Sequence, residues 1–231
     1  MSAEEVIVIS LGGSLIVPDE IDTRFLSNFK ALIARQVEST SRRFFIITGG
    51  GKVCRRYQAA LREVNPSVTA TDVDWLGIRT TELNAYFVQA MFGTMADKRI
   101  ILQKSDLEDE FEKSIVIGAG WEPGSSSDLD AVEVADAVGA RTVVNLSNIS
   151  HAYDKDPRLF DDAQALQQVV WKEYRSFIPD EWDPGLSTPF DPIASEMAER
   201  LGISVLIMGN DIENLENYFE RGSFEGTRIH P

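Results

Sequence analysis

Residues 44–57 read FFIITGGGKVCRRY. Phe44 to Thr48 is an unbroken run of aromatic and β-branched side chains, the pattern of a strand buried on both faces. Three glycines follow, and then Val53, Tyr57, Leu61 and Val64 recur at helical spacing. The chain opens in the same order. Val6 to Leu11 (VIVISL) leads into Gly12-Gly13-Ser14, and Phe25, Leu26, Phe29, Leu32 and Ile33 then form one helical stripe. Strand, glycine turn and helix in repeated alternation specify an α/β fold with a mainly parallel sheet and helices on its faces.

The pattern continues outward from these two units. Further strands are expected at 100–102, 114–117 (SIVI), 142–146 (TVVNL) and 204–208 (SVLIM), with a terminal strand at 226–229. A helix over 128–138 turns Ala131, Val132, Ala135 and Val138 inward. Another carries Leu83, Phe87 and Met91, and a late helix covers 190–201. Residues 152–192 are rich in Asp, Pro and Trp and weakly periodic, so loops, short helices and a hairpin are expected there.

Composition narrows the function classes. The chain has 231 residues, enough for one α/β domain or two intimately packed lobes. Its 22 basic and 37 acidic residues give a net charge of −15. Such a surface repels nucleic acid and anionic membranes, so neither is expected as a partner. An anionic substrate needs a local pocket of positive groups, backbone N–H donors or a metal ion. The single cysteine, Cys54, excludes an intrachain disulfide, and two histidines make a protein-only zinc site implausible. No apolar run approaches the ~20 residues of a bilayer span, and an acidic start is unlike a signal peptide, so a cytoplasmic location is expected.

Three expected strand ends carry glycine loops: GGS at 12–14, GGGK at 49–52 and AGWEPGSSSD at 119–128. In a parallel sheet these ends share one edge, where ligands bind. Glycine lets backbone N–H groups approach a ligand, and the following helix adds the positive end of its dipole. The arrangement suits phosphate groups; the plainer reading is that glycines merely end strands. Neither GxxxxGK[ST] nor GxGxxG is met. Lys52, Arg55 and Arg56 form a basic cluster at a helix start, either phosphate-facing or solvated. Asp74 lies ahead of Gly77-Ile78, where it either takes two sugar hydroxyls or caps a helix.

Together these residues resemble the amino-acid kinase superfamily, and within it the archaeal-like uridylate kinases. The likeness runs through VISLGGSL (8–15), TGGGKVCRRY (48–57), DWLGIRTTELNAY (74–86), PGSSSD (123–128), NLSNISHAYDKDPR (145–158), FDPIASEMA (190–198) and GTRI (226–229). It implies a three-layer αβα sandwich in a single domain. Residues of about 1–140 would form an acceptor-binding lobe and those of about 141–231 an ATP-binding lobe. It implies transfer from MgATP, the Mg²⁺ carried with the nucleotide, to UMP, and assembly as a hexamer.

Residue by residue, the resemblance places Gly12, Gly13 and Ser14 at the transferred phosphate of ATP. Gly51 and Arg55 would contact the phosphates in transit, with Arg55, Lys52 and Gly13 as the catalytic set. Ser147, Asn148, Tyr153 and Asp156 would line the ATP site. Gly50, Asp74, Gly77, Gly120, Gly124, Ser125, Ser126 and Ser127 would hold UMP. Two positions depart from the pattern: Ser10 stands where many relatives have lysine, and Ser150-His151 replaces an Asp-Gly pair. The alternatives are another small-molecule kinase of the same superfamily and a non-catalytic UMP or UTP sensor.

Overall fold

Alternate side chains of the first strand face opposite ways, and both sides are covered. In β1 (Glu5–Leu11), Ile7, Ile9 and Leu11 enter one apolar cluster and Val8 enters another. The same division holds in β2 (Arg42–Thr48), where Phe44 and Ile46 oppose Phe45 and Ile47. A strand buried on both faces needs helices above and below, which is why the run of β-branched residues reads as continuous rather than alternating. The computed structural model describes residues 5–179 and 188–231.

The eight-stranded sheet has the order β3-β4-β2-β1-β5-β7-β8-β6. The remaining strands are β3 (Ala96–Ile101), β4 (Ile115–Gly118), β5 (Thr142–Leu146), β6 (Gln168–Val170), β7 (Ser204–Met208) and β8 (Thr227–His230). Neighbours pair in parallel except β7 with β8. One face is covered by α2 (Thr23–Ser39), α4 (Ala70–Phe92) and α8 (Ile212–Arg221). The other is covered by α5 (Ser127–Ala137), α6 (Trp171–Tyr174) and α7 (Pro192–Leu201). The molecule is therefore the expected three-layer αβα sandwich.

Local chemistry sets the helix ends. Asp22, Thr69, Ser126, Asp191 and Asp211 each accept backbone N–H bonds at a helix start, and Gly202 and Gly222 close α7 and α8 with φ of 66° and 70°. The predicted stripe of α2 is buried throughout, each large side chain contributing about 1.5–3 kcal/mol of transfer free energy.

Three expectations are corrected. The apolar stripe of α3 (Gly51–Val64) does not face the core: Tyr57 and Val64 are exposed, and Gln58 is its buried side chain. On α4, Leu83 and Phe87 also point outward; Val73, Gly77, Ile78, Thr81, Asn84, Ala85 and Val88 face inward instead. Periodicity identifies a stripe but not what lies opposite it. Asp74 is not a helix cap either, since Thr69 caps α4 and Asp74 lies in its second turn. In the weakly periodic region, Tyr153 and Ala165 form a single antiparallel bridge, and β6 adds an unexpected edge strand of which only Val169 is buried. Residues 180–187 of that region lie outside the described residues.

Candidate active site

The parallel register brings the carboxyl ends of β1, β2, β4 and β5 to one edge, and short backbone bonds stitch the following turns together. Gly12 N donates to Leu146 O (2.8 Å), Gly49 N to Leu11 O (2.9 Å), and Ser147 N to Met208 O (3.1 Å). Gly13 packs directly on the second glycine turn: a Cβ there would lie 2.3 Å from Gly51 N and 2.4 Å from Gly49 O. Gly51 itself has φ of 66°, a conformation that favours glycine. From α4, Asn84 Nδ2 donates to Gly49 O (2.7 Å), and Thr48 Oγ1 donates to Thr81 O (3.0 Å). The helix that supplies Asp74 thereby also holds the glycine turn.

These turns enclose a cleft of about 1020 Å³. Its lining includes Gly12, Gly13, Ser14, Gly50, Gly51, Arg55, Asp74, Gly77, Gly120, Ser125, Ser126, Ser127, Ser147, Asn148, Tyr153 and Asp156. The loops at 12–14, 49–55 and 119–128 thus meet at one place, as the strand–turn alternation requires. Two expected residues stand apart. Lys52 is outside the lining and pairs with Asp19 (2.6 Å), which also receives Arg56 (3.0 Å). Gly124 is also outside it, but its N–H donates to Asp74 Oδ2 (3.0 Å), tying the third loop to α4. Of the basic cluster, Arg55 alone reaches the cleft.

Around Asp74 the wall is built from α3 and α4. Gln58 Nε2 bonds Val73 O (3.1 Å), holding the two helices together. Burial is the main force raising the Asp74 carboxyl above its ordinary range, opposed by the Gly124 N–H. Cys54 lies between Gly50 and Gly77; a Cβ on Gly50 would meet the Cys54 Cβ at 2.6 Å. Burial raises its thiol pKa, so it packs as a neutral side chain. In the third loop, Ser126 caps α5 through Asp128 N (3.2 Å) and Leu129 N (3.3 Å), and Ser125 Oγ donates to Glu122 O (2.7 Å).

The opposite wall comes from 147–158. Ser14 Oγ donates to Asn148 Oδ1 (3.4 Å), a direct link between the first loop and this wall. Asp156 is held well ionised by the Arg158 guanidinium, with Nη2 at 2.8 Å. His151 Nδ1 lies 3.1 Å from Ser150 Oγ, and Lys155 Nζ pairs with Asp162 (2.7 Å). All four of His151, Lys155, Asp156 and Arg158 line the cleft.

Sequence reasoning missed the residues at the floor: Thr81, Asp128, Asp130 and Asn145. Asp128 was legible only as the end of PGSSSD. It accepts from Ser10 Oγ (3.1 Å) and Asn145 Nδ2 (3.0 Å), so Ser10 supplies a hydrogen bond where a lysine would supply charge. Burial, then the charge of Asp191, pushes the Asp128 carboxyl up to about 7. Asp130 is raised well above its ordinary value, chiefly by burial and secondarily by Glu133, Asp128 and Asp191.

A carboxyl raised by folding stabilises the native state below its unfolded value, and that contribution is lost as pH rises through the folded value. The ligand-free protein is therefore expected to melt lower at pH 8 than at pH 5. Asp128→Asn, neutral at both, should lose less stability than the parent between pH 5 and pH 8. Each kcal/mol of linkage corresponds to about 2–4 °C in a thermal scan for a chain this size. Parallel pH profiles for parent and variant would refute the assignment.

Residues 5–209 match the amino acid kinase family. The chain is 31% identical over 227 residues to the uridylate kinase of Methanoculleus marisnigri, covering 96% of this chain and 94% of that one. It is 28% identical to that of Haloquadratum walsbyi over 228 residues, covering 97% and 93%. The crystal structure of uridylate kinase from Archaeoglobus fulgidus superposes with a TM-score of 0.81 at 25% identity, covering 97% of this chain and 99% of that one. The match extends beyond any one motif, through the glycine turns and both walls of the cleft, and the chain belongs to the amino acid kinase family.

Proposed function

We propose that this protein is a uridylate kinase, transferring the γ-phosphate of MgATP to UMP to give UDP and ADP. The observation that carries the reading is the meeting of three glycine turns and Arg55 in one cleft of an otherwise strongly acidic protein. Relatives aligned over nearly the whole chain bear that name.

Phosphoryl transfer asks mainly for alignment and neutralisation of charge. The glycine turns bring backbone N–H groups to the phosphates, and Arg55 adds a fixed positive charge between donor and acceptor. The acceptor phosphate oxygen is already ionised at neutral pH, so neither a nucleophilic side chain nor a general base is required. In this reading Gly12, Gly13, Ser14 and Gly51 meet the donor phosphates, and Ser147, Asn148, Tyr153 and Asp156 line the rest of the donor site. Gly50, Asp74, Gly77 and the 120–127 loop hold UMP, with Asp74 on the ribose. The half of the cleft built mainly from about 1–140 takes the acceptor, and that from about 141–231 takes ATP. Lys52, paired with the exposed Asp19 in the ligand-free protein, completes the proposed catalytic set with Arg55 and Gly13.

Mg²⁺ fits this chain as a passenger on ATP. Among the described residues no group of three or more His, Cys, Asp or Glu is disposed to hold a metal. When bound, the ion would supply neutralisation of phosphate charge.

We further propose assembly as a homo-oligomer, a hexamer by resemblance, in the cytoplasm. The outward stripes of α3 and α4 carry Tyr57, Val64, Leu83, Tyr86 and Phe87, a large apolar exposure for a free surface. No helix of the described residues is long and apolar enough to cross a membrane.

The decisive experiment mixes the protein with MgATP and each nucleoside monophosphate and resolves the products. UDP from UMP supports the kinase; nucleotide binding without product identifies a sensor, and turnover of another acceptor identifies a different kinase. Arg55→Ala should lower kcat/KM by ~10²-fold or more, as for other lost charge-stabilising donors; a loss below threefold would remove Arg55 from that role. Asp74→Asn should weaken UMP by about 1–3 kcal/mol in calorimetry while sparing ATP. Equal losses for both nucleotides would refute the ribose assignment. Leu83→Glu should shift the assembly to smaller species in light scattering, whereas an unchanged mass would place the interface elsewhere.

A further inference from the structure

The proposed reaction gives no task to Ser150 and His151, the pair that departs from the expected pattern. Both line the cleft, on the wall that follows β5. The backbone around them is fixed. A Cβ on Gly209, just past β7, would stand 3.4 Å from the Ser150 Cβ. Ala152 is fully buried; its N–H donates to Thr227 Oγ1 (2.9 Å), and its carbonyl accepts from Leu166 N (2.9 Å). Tyr153 then bridges to Ala165. His151 is therefore presented to the cleft by a segment tied at both sides.

The half-buried ring is held as well. Its Nδ1 lies 3.1 Å from Ser150 Oγ. When that hydroxyl donates to Nδ1, the ring proton sits on Nε2, which is then the donor left for a ligand. The other basic groups of this wall are paired with carboxylates: Lys155 with Asp162 (2.7 Å) and Arg158 with Asp156 (2.8 Å). Arg55 belongs to α3, across the cleft, and at the end of β1 Ser10 brings a hydroxyl without charge. His151, by contrast, bonds a neutral hydroxyl.

Its segment is also joined to the first glycine loop. Gly12 N donates to Leu146 O (2.8 Å) and Ser14 Oγ to Asn148 Oδ1 (3.4 Å). A polyphosphate lying along Gly12, Gly13 and Ser14 thus runs beside this wall. An N–H donor aimed at a charged phosphate oxygen forms one of the stronger hydrogen bonds available to a protein.

We propose that His151 is a further catalytic residue, its Nε2–H donating to the phosphate chain of ATP, with Ser150 as the positioning residue that sets the ring. The inference rests on the reading of 147–158 as the donor site.

The test records affinities for MgATP and UMP by calorimetry, kcat/KM for ATP and thermal scans. His151→Gln keeps an N–H donor at about the reach of Nε2 and has no ring. His151→Phe keeps a ring and has no donor, and His151→Ala has neither. His151→Ala and His151→Phe should each lose about tenfold or more in ATP affinity and in kcat/KM, as for a lost hydrogen bond to a charged group. His151→Gln should stay within about threefold of the parent. UMP affinity should be unchanged in all three. Ser150→Ala should lose about threefold for ATP, and adding it to His151→Ala should cost nothing further, because the hydroxyl acts only through the ring.

Undiminished ATP affinity in His151→Ala overturns the proposal, as do equal losses in His151→Gln and His151→Ala or a parallel loss of UMP. Retention by His151→Phe with loss in His151→Gln places the ring on the base and also overturns it. Additive losses in the double variant remove Ser150 from its role. If either His151→Ala or His151→Phe fails to fold, the other is read by the same criteria; failure of both marks the side chain as structural and ends the proposal. ATP binding and UDP formation by the parent are measured first. ATP bound without UDP defeats the kinase reading and leaves the affinity series to decide this inference. No ATP bound defeats both, and UDP formation with an unaffected His151→Ala defeats the inference alone.

Discussion

Gly13 and the turn at Gly49–Gly51 meet so closely that no side chain fits between them. The contact joins the ends of two adjacent parallel strands, and the other parts of the cleft are arranged around it. Because β1 and β2 pair in register from Glu5–Arg42 to Leu11–Thr48, their turns leave the sheet at the same level. The β4 and β5 strands flank this pair, so their loops arrive at the same level too. The cleft is a consequence of parallel pairing combined with backbone small enough to nest.

The cleft reconciles two opposed electrostatic demands. The chain carries a net charge of −15, yet the proposed reaction brings two polyanions together. Backbone N–H groups and Arg55 supply local attraction without altering the overall sign. The buried carboxyls at the floor work against that attraction while they are ionised. Burial answers this in part, by holding Asp128 and Asp130 toward their neutral forms. Ser10 and Asn145 complete the arrangement by hydrogen bonding to Asp128 where a lysine would pair with it.

Helices α3 and α4 have a double character. Where they border the cleft their inner side offers small and polar groups, with Gln58, Gly77, Thr81 and Asn84 facing the glycine turn and the third loop. Farther along, α4 buries Ala85, Val88 and Phe92 in the core. Their outer side carries further large apolar residues, among them Tyr57, Leu83 and Phe87. A helix that must let a substrate approach its backbone gives up bulk on that side, and an apolar stripe on the other suits a partner surface.

The buried strands, their order of alternation with helices and the glycine turns were legible in the amino-acid sequence, because each depends on local pattern: continuous burial, turn chemistry and helical period. Arg55, Asp74 and the 119–128 loop were legible as site residues for the same reason, each lying next to a glycine turn or step. The direction of the α3 and α4 stripes was not, since a period names a face without naming its neighbour. Nor was the separation of Lys52 from Arg55, three residues apart on one helix, which depends on Asp19 arriving from a distant loop. The acidic cluster of Asp128, Asp130 and Asp191 was the least legible, because residues 128 and 191 are brought together only when α5 and α7 pack on the same face of the sheet. Local sequence determines what each segment forms. Which segments share a dielectric environment, and hence which charges persist, is decided only by the packing of the whole chain.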